Sequence, residues 1–162
     1  MFTNSDLFSY KEGTTQNNDI EIFYRDYGPD DAEPILLVQG LGGQLINWPQ
    51  HLIEYLIDNN FRPIVFDNRD TGLSTRVVSD SFSDEKRGNT ILRSYIRYYL
   101  RLPIKSEYTI DDMANDAVAV LDDLNISQAH VLGISMGGMI AQIIASSYSC
   151  LLYTSPSPRD AE

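Results

Sequence analysis

The sequence predicts an α/β chain in which an N-terminal antiparallel hairpin is followed by parallel strands joined by crossover helices. Three observations carry this expectation. The largely apolar runs at residues 35–39 (ILLVQ), 63–67 (PIVFD) and 130–135 (HVLGIS) suit strands buried on both faces. Segments with helical spacing follow each of them. The clearly alternating segment, residues 20–26 (IEIFYRD), comes before all three, as an antiparallel strand with one solvated face would.

Taken in order, residues 20–26 place Ile22 and Tyr24 on one face and Glu21, Phe23 and Arg25 on the other. Their expected partner is residues 7–11, reached across the polar turn GTTQNND. Pro34 and Gly40 bound the first buried run. From Trp48 to Asn60 apolar residues recur at 48, 52, 53, 56 and 57, a helical pattern with Asn47 as N-cap and Pro49 in the first turn. After the second run, residues 80–87 read as polar loop and 89–102 as a weaker helix. Thr109 caps the helix TIDDMANDAVAVLDDL, with Asp111 and Asp112 in its first turn, where the macrodipole favours anions. The third run leads directly into a final helix over residues 136–149, apolar at 139, 140, 143 and 144.

Composition narrows the function classes. Twelve Lys+Arg against 23 Asp+Glu give a net charge of −11, which repels phosphate backbones and anionic headgroups, so neither nucleic acid nor membrane is an expected partner. No apolar run approaches the ~20 residues of a membrane span, and Asp6 stands where a signal peptide is apolar, so a cytoplasmic protein is expected. A single cysteine, Cys150, provides no internal disulfide, multi-cysteine zinc site or CxxC pair. No cofactor or metal is expected. Only His51 and His130 are available for acid–base work.

Ligands of open α/β sheets bind beyond the carboxyl ends of the strands. Three motifs fall there. Gly133-x-Ser135-x-Gly137, followed by Gly138, lies between strand and helix, the context that makes G-x-S-x-G a nucleophile elbow. The serine hydroxyl then stands clear of the sheet, and the N–H of Met136 faces an anion site at the helix start. The other reading is a glycine packing site with an incidental serine. Gln39-Gly40-Leu41-Gly42-Gly43 follows the first buried strand and suits an oxyanion loop, the Leu41 N–H complementing that of Met136. A dinucleotide loop would need glycine at position 45, which is Leu45, so that fingerprint fails despite Asp67 at the end of the next strand; a structural turn is the third reading. The charged turn formers of residues 67–74 are expected to pair with one another and hold their loop. His51 falls inside a helix, and His130 opens the strand at the end away from Ser135, five residues at ~3.3 Å each being too far to take its proton. Arg93, Arg97, Arg101 and Lys105 recur every four residues but are interrupted by Pro103, and read as a solvated face.

Together QGLGGQ, Trp48-Pro49, FDNRDTGLS, YTIDDMANDAVAVLDDL and HVLGISMGGMIAQ resemble the α/β-hydrolase superfamily, most closely its aclacinomycin methylesterase-like and proline iminopeptidase-like esterases. The resemblance spans about residues 10–149. It implies Ser135 as nucleophile and the N–H groups of Leu41 and Met136 as the oxyanion hole. It also implies a small-molecule carboxylic ester, in preference to an amide, as substrate. The family loop commonly begins His-Gly, whereas Gln39 stands here.

In that superfamily the acid and then the histidine follow the elbow helix in chain order. The expectation is therefore a truncated α/β-hydrolase fold over residues 1–149 that lacks both and is inactive alone. The alternative is a non-catalytic binding protein on the same fold. The run CLLYTSPSPRD at residues 150–160 resembles a translated sequencing adaptor, so residues 150–162 are expected to be an artefactual or disordered tail. With the later strands missing, the strand over residues 129–134 should become a sheet edge, and Val131, Leu132, Ile140 and Ile144 should lose packing.

Overall fold

The structure, a computed structural model, describes residues 9–77, 100 and 106–153. Five strands form one sheet: β1 (Tyr10–Asn17), β2 (Ile20–Tyr27), β3 (Glu33–Val38), β4 (Phe61–Phe66) and β5 (His130–Gly133). Their order is β1-β2-β4-β3-β5. The first two pair antiparallel and β2 meets β4 antiparallel, whereas β3 is parallel to both β4 and β5. Three helices complete the described fold, α1 (Gln50–Asp58), α2 (Ile110–Asp123) and α3 (Met136–Ser147).

The unbroken apolar runs form strands because both of their faces are covered. Along β3, Leu36 and Val38 enter a cluster with Ile64, Phe66, α2 and α3, while Ile35 and Leu37 enter a second with Val65, Trp48 and α1. The sheet is thus the middle of three layers, with α1 on one face and α2 and α3 on the other. Each such side chain contributes roughly 1.5–3 kcal/mol when fully buried.

The hairpin differs from its expectation. Strand β1 continues through Gly13, Thr14 and Thr15 to Asn17, and the turn is only Asn18 and Asp19, with Asn18 at φ 56°. Gly13 lies opposite Tyr24, whose ring fills the space a Cβ would occupy. Strand β1 is an exposed edge in which Thr15 alone is buried, so polar residues are tolerated along it and no alternation marks it. The expected partner residues 7 and 8 lie outside the described residues, as do the 80–87 loop, the 89–99 part of the weaker helix, Arg93, Arg97, Arg101, Pro103 and Lys105.

Helix α1 begins later than its apolar spacing suggests. Residues Leu45–Asn47 form a separate 3-10 turn in which the Asn47 side chain accepts from the Gln44 N–H at 2.7 Å. Asn47 therefore caps nothing in α1, which starts after Pro49. The expected cap of α2 is in place: Thr109 Oγ1 accepts from the Asp112 N–H at 3.2 Å, and Asp112 accepts from the Thr109 N–H at 2.7 Å.

Strand β5 is the outer strand among the described residues, touched on its far side by one parallel bridge between Ala129 and Leu152. Leu132 is exposed there and Val131 half-buried. Ile140 and Ile144, by contrast, are fully buried, because α3 packs against α2 as well as the sheet. Leu151 and Leu152 pack partly against the same core, and residues 154–162 lie outside the described set.

Candidate active site

Chain order and sheet order diverge at β3. The chain moves from β3 to β4 on one side, then returns to place β5 on the other. Such a switch point opens a crevice beyond the carboxyl ends of the two diverging strands. Residues 39–45 leave β3 at that crevice, and Ser135 follows β5 there.

Pairing continues past β5, since the Ile134 N–H donates to the Val38 carbonyl at 3.0 Å. The next residue turns abruptly: Ser135 has φ 56° and ψ −117°. A non-glycine residue in the left-handed region is uncommon and stores strain. Helix α3 starts at once, with the Gly137 N–H donating to the Ile134 carbonyl and the Gly138 N–H to the Ser135 carbonyl, both at 2.9 Å. The flanking glycines are sterically required. A Cβ on Gly133 would lie 2.2 Å from the Gly137 carbonyl oxygen, and one on Gly137 would lie 2.2 Å from the Val38 carbonyl oxygen. Gly138 is less constrained, its nearest neighbour being the Gly133 oxygen at 3.6 Å. Ser135 is exposed at the apex and Met136 is half-buried at the first position of the helix.

The loop after β3 packs on this apex. A Cβ on Gly40 would stand 3.1 Å from the Ile134 carbonyl oxygen and 3.2 Å from Ser135 Cβ. The loop closes with the Gly43 N–H donating to the Gly40 carbonyl at 3.1 Å, and Gly42 takes φ 70°. Gln39, where a loop histidine is common in the family, is buried, and its side chain fills the space beside Gly43. The Leu41 side chain is 85% exposed.

The charged loop after β4 is ordered, though not by the pairing its composition suggests. Asp67, buried, accepts the Leu45 N–H at 2.7 Å and the Leu73 N–H at 2.9 Å. Ser74 Oγ donates to the Asp67 carbonyl at 2.6 Å and accepts from the Phe23 N–H at 2.9 Å. Asn68 donates to the Gln39 carbonyl at 3.2 Å. Arg69 turns away from both loop aspartates and forms a two-pronged buried pair with Asp116 of α2. Asp70 accepts the Val77 N–H and is hydrogen-bonded to Tyr108. Burial first, then that bond, pushes the Tyr108 hydroxyl up to about 12.

Among the described residues neither histidine is hydrogen-bonded to Ser135. His51 is exposed on α1. His130, at the opposite end of β5, meets Glu33 at 2.9 Å and is flanked by the rings of Phe61 and Tyr153. Asp26, Arg62 and Asp116 are buried charges that the sequence reading passed over; the Arg62–Asp26 pair (2.7 Å) lies far along the sheet from Ser135 and fixes β4 to β2. The visible signal was an arginine in an apolar run and an aspartate on the buried face of an alternating strand.

Comparisons agree with this architecture. Rhodomycin D methylesterase of Streptomyces peucetius is 29% identical over 129 residues, covering 80% of this chain and 35% of its own length. The 3-oxoadipate enol-lactonase 2 of Acinetobacter baylyi is 30% identical over 139 residues, covering 86% and 41%. This chain thus spans well under half the length of these relatives. Epoxide hydrolase A from Mycobacterium thermoresistibile, 18% identical, matches in fold with a TM-score of 0.66 over 95% of this chain and 42% of that one. Residues 33–157 match the family described by the α/β hydrolase fold, and the chain belongs to that family.

Proposed function

We propose that this chain carries the nucleophile and the oxyanion hole of a serine hydrolase acting on small-molecule carboxylic esters. The observation that supports this most is the backbone of Ser135, an exposed hydroxyl on a left-handed residue between a parallel strand and a helix start. Ser135 Oγ attacks the ester carbonyl, and the N–H groups of Leu41 and Met136 donate to the oxygen as it becomes negative. The preference for an ester over an amide draws on the methylesterase and enol-lactonase among the relatives, both names denoting cleavage of a carboxylic ester.

The attacking hydroxyl needs a base, which in this reading is a histidine oriented by an acid. On this reading both partners come from the part of the relatives' length that residues 1–162 do not span, and those residues alone are expected to turn over no ester. In the full-length protein, hydrolysis of p-nitrophenyl acetate should fall by several orders of magnitude in Ser135→Ala. Undiminished turnover in that variant would overturn the assignment. A full-length protein that binds such esters without turning them over would favour a binding protein on this fold.

A further inference from the structure

We infer that Asp67 and Asn68 are positioning residues that clamp the 39–45 loop from both ends and so hold the Leu41 N–H over Ser135. This rests on the reading of Leu41 as an oxyanion donor. The two residues are consecutive, at the carboxyl end of β4, and reach neighbouring β3 from the same place. Asn68 takes the entry of the loop through the Gln39 carbonyl, at 3.2 Å. Asp67 takes its exit through the Leu45 N–H, at 2.7 Å. Between these anchors the loop is held by the Gly43 N–H donating to the Gly40 carbonyl and the Gln44 N–H donating to the Asn47 side chain. It contains three glycines, the Leu41 side chain is almost wholly exposed, and it rests on the elbow through the bare face of Gly40.

The clamp is itself built in. The second oxygen of Asp67 accepts the Leu73 N–H, so the carboxylate cannot swing away from Leu45 without breaking two bonds, and the Asp67 backbone carbonyl accepts Ser74 Oγ, which fixes the main chain that carries it. Gly72, at φ 54°, has no Cβ because one would lie 1.9 Å from Asp67 Oδ2. Donor and acceptor types matter here. Both partners of the carboxylate are N–H donors, which an acceptor-only group satisfies and an amide cannot. Asp67→Asn sets an NH2 group against one of them at nearly unchanged volume.

An oxyanion donor acts in the transition state and much less in the ground state, so a loosened Leu41 lowers kcat and spares KM. In the full-length hydrolase, Asp67→Asn should lower kcat on p-nitrophenyl acetate about ten- to hundred-fold with KM within about twofold, somewhat less than deletion of an oxyanion donor. Inhibition by an aryl trifluoromethyl ketone, whose serine adduct carries an oxyanion, should weaken by the same factor. Inhibition by the corresponding secondary alcohol, which carries none, should stay unchanged. Asn68→Ala, removing the other anchor, should shift the same readouts in the same direction and serves if Asp67→Asn does not fold. Unchanged kcat in both variants, or an equal loss of alcohol and ketone affinity, would overturn the clamp. Ser135→Ala measured alongside separates the two readings: if it is inactive while both clamp variants keep full kcat, only the clamp fails; if it keeps turnover, nucleophile and clamp fail together.

Discussion

Arg69 grips Asp116 with two parallel hydrogen bonds, Nε to Oδ2 at 2.7 Å and Nη2 to Oδ1 at 2.8 Å, across 47 residues of sequence. Both side chains are buried, Asn17 donates to the same carboxylate at 2.7 Å, and the guanidinium lies 5.1 Å from the centre of the Tyr108 ring. The loop beside the elbow, the start of α2 and the tip of the hairpin are thereby tied at one point. Hydrogen bonding to Asp116 raises the Arg69 pKa further against the opposing effect of its burial. Removing one partner leaves the other charge buried, which costs about 3–5 kcal/mol. Asp116→Ala in the full-length protein should lower the urea midpoint accordingly, whereas Arg69→Met with Asp116→Leu should recover much of the loss. Equal stability of Asp116→Ala and the parent would show that the pair is not closed in solution.

At the elbow, a side chain at Gly137 would have to displace the backbone of β3, its Cβ falling 2.2 Å from one carbonyl oxygen and 2.8 Å from the next. Neither is the flexible end of a side chain, so relief means moving a strand. Gly137→Ala should destabilise the protein and abolish turnover together, and Gly137→Val more so. Gly138→Ala, with 3.6 Å to spare, should be mild in the same thermal melts. A stable, active Gly137→Val variant would mean a different backbone at residue 135.

Alkaline stability should report on two tyrosines. Burial, then the hydrogen bond to Asp123, pushes Tyr24 up to about 12, and burial with the Asp70 bond does the same for Tyr108. The folded state therefore keeps protons that the unfolded chain loses near 10. Unfolding releases them, so this contribution to stability is complete below about pH 10 and falls as pH rises towards 12. Melting temperature should decline more steeply over that interval in the parent than in Tyr24→Phe or Tyr108→Phe. Parallel profiles would contradict the placement of both hydroxyls.

The parallel strands were legible because burial on both faces leaves a local trace: Ile35, Leu36, Leu37 and Val38 are apolar whichever way they point. Ser135 was legible for a similar reason, its glycines and its place between strand and helix all falling within five residues. Strand β1 was not, since an exposed edge makes few demands on side chains and Gly13, Thr14 and Gln16 read as a turn. The ion pairs were hidden by distance along the chain. Nothing near Arg69 announces Asp116, and nothing near Asp26 announces Arg62, 36 residues on. Asp67 was visible as a charge at a strand end, but its partners are backbone amides, which every residue owns, so no side-chain pattern could name them.

Leu132, Ile134 and Met139 present exposed apolar surface along β5 and the first turns of α3. Residues 1–162 expressed alone should therefore bind ANS and self-associate, since an apolar strand edge is a template for further pairing. Leu132→Lys should reduce both by placing a charge on that edge. A monomeric parent chain with a sharp thermal transition and no dye binding would show that the surface is covered by some other part of the chain.

The left-handed backbone at residue 135 makes one more demand. Its conformation comes from the absence of side chains at 133 and 137 and takes nothing from the hydroxyl itself. What φ 56° rejects is branching at Cβ, which crowds the preceding carbonyl. Threonine, chemically the nearest relative of serine, is thus the poorer tenant of this position, while cysteine and aspartate, both unbranched there, meet the same backbone on equal terms. The scaffold selects reactive groups by the shape of their first carbon, and leaves the choice among oxygen, sulfur and carboxylate chemistry to the residues around it.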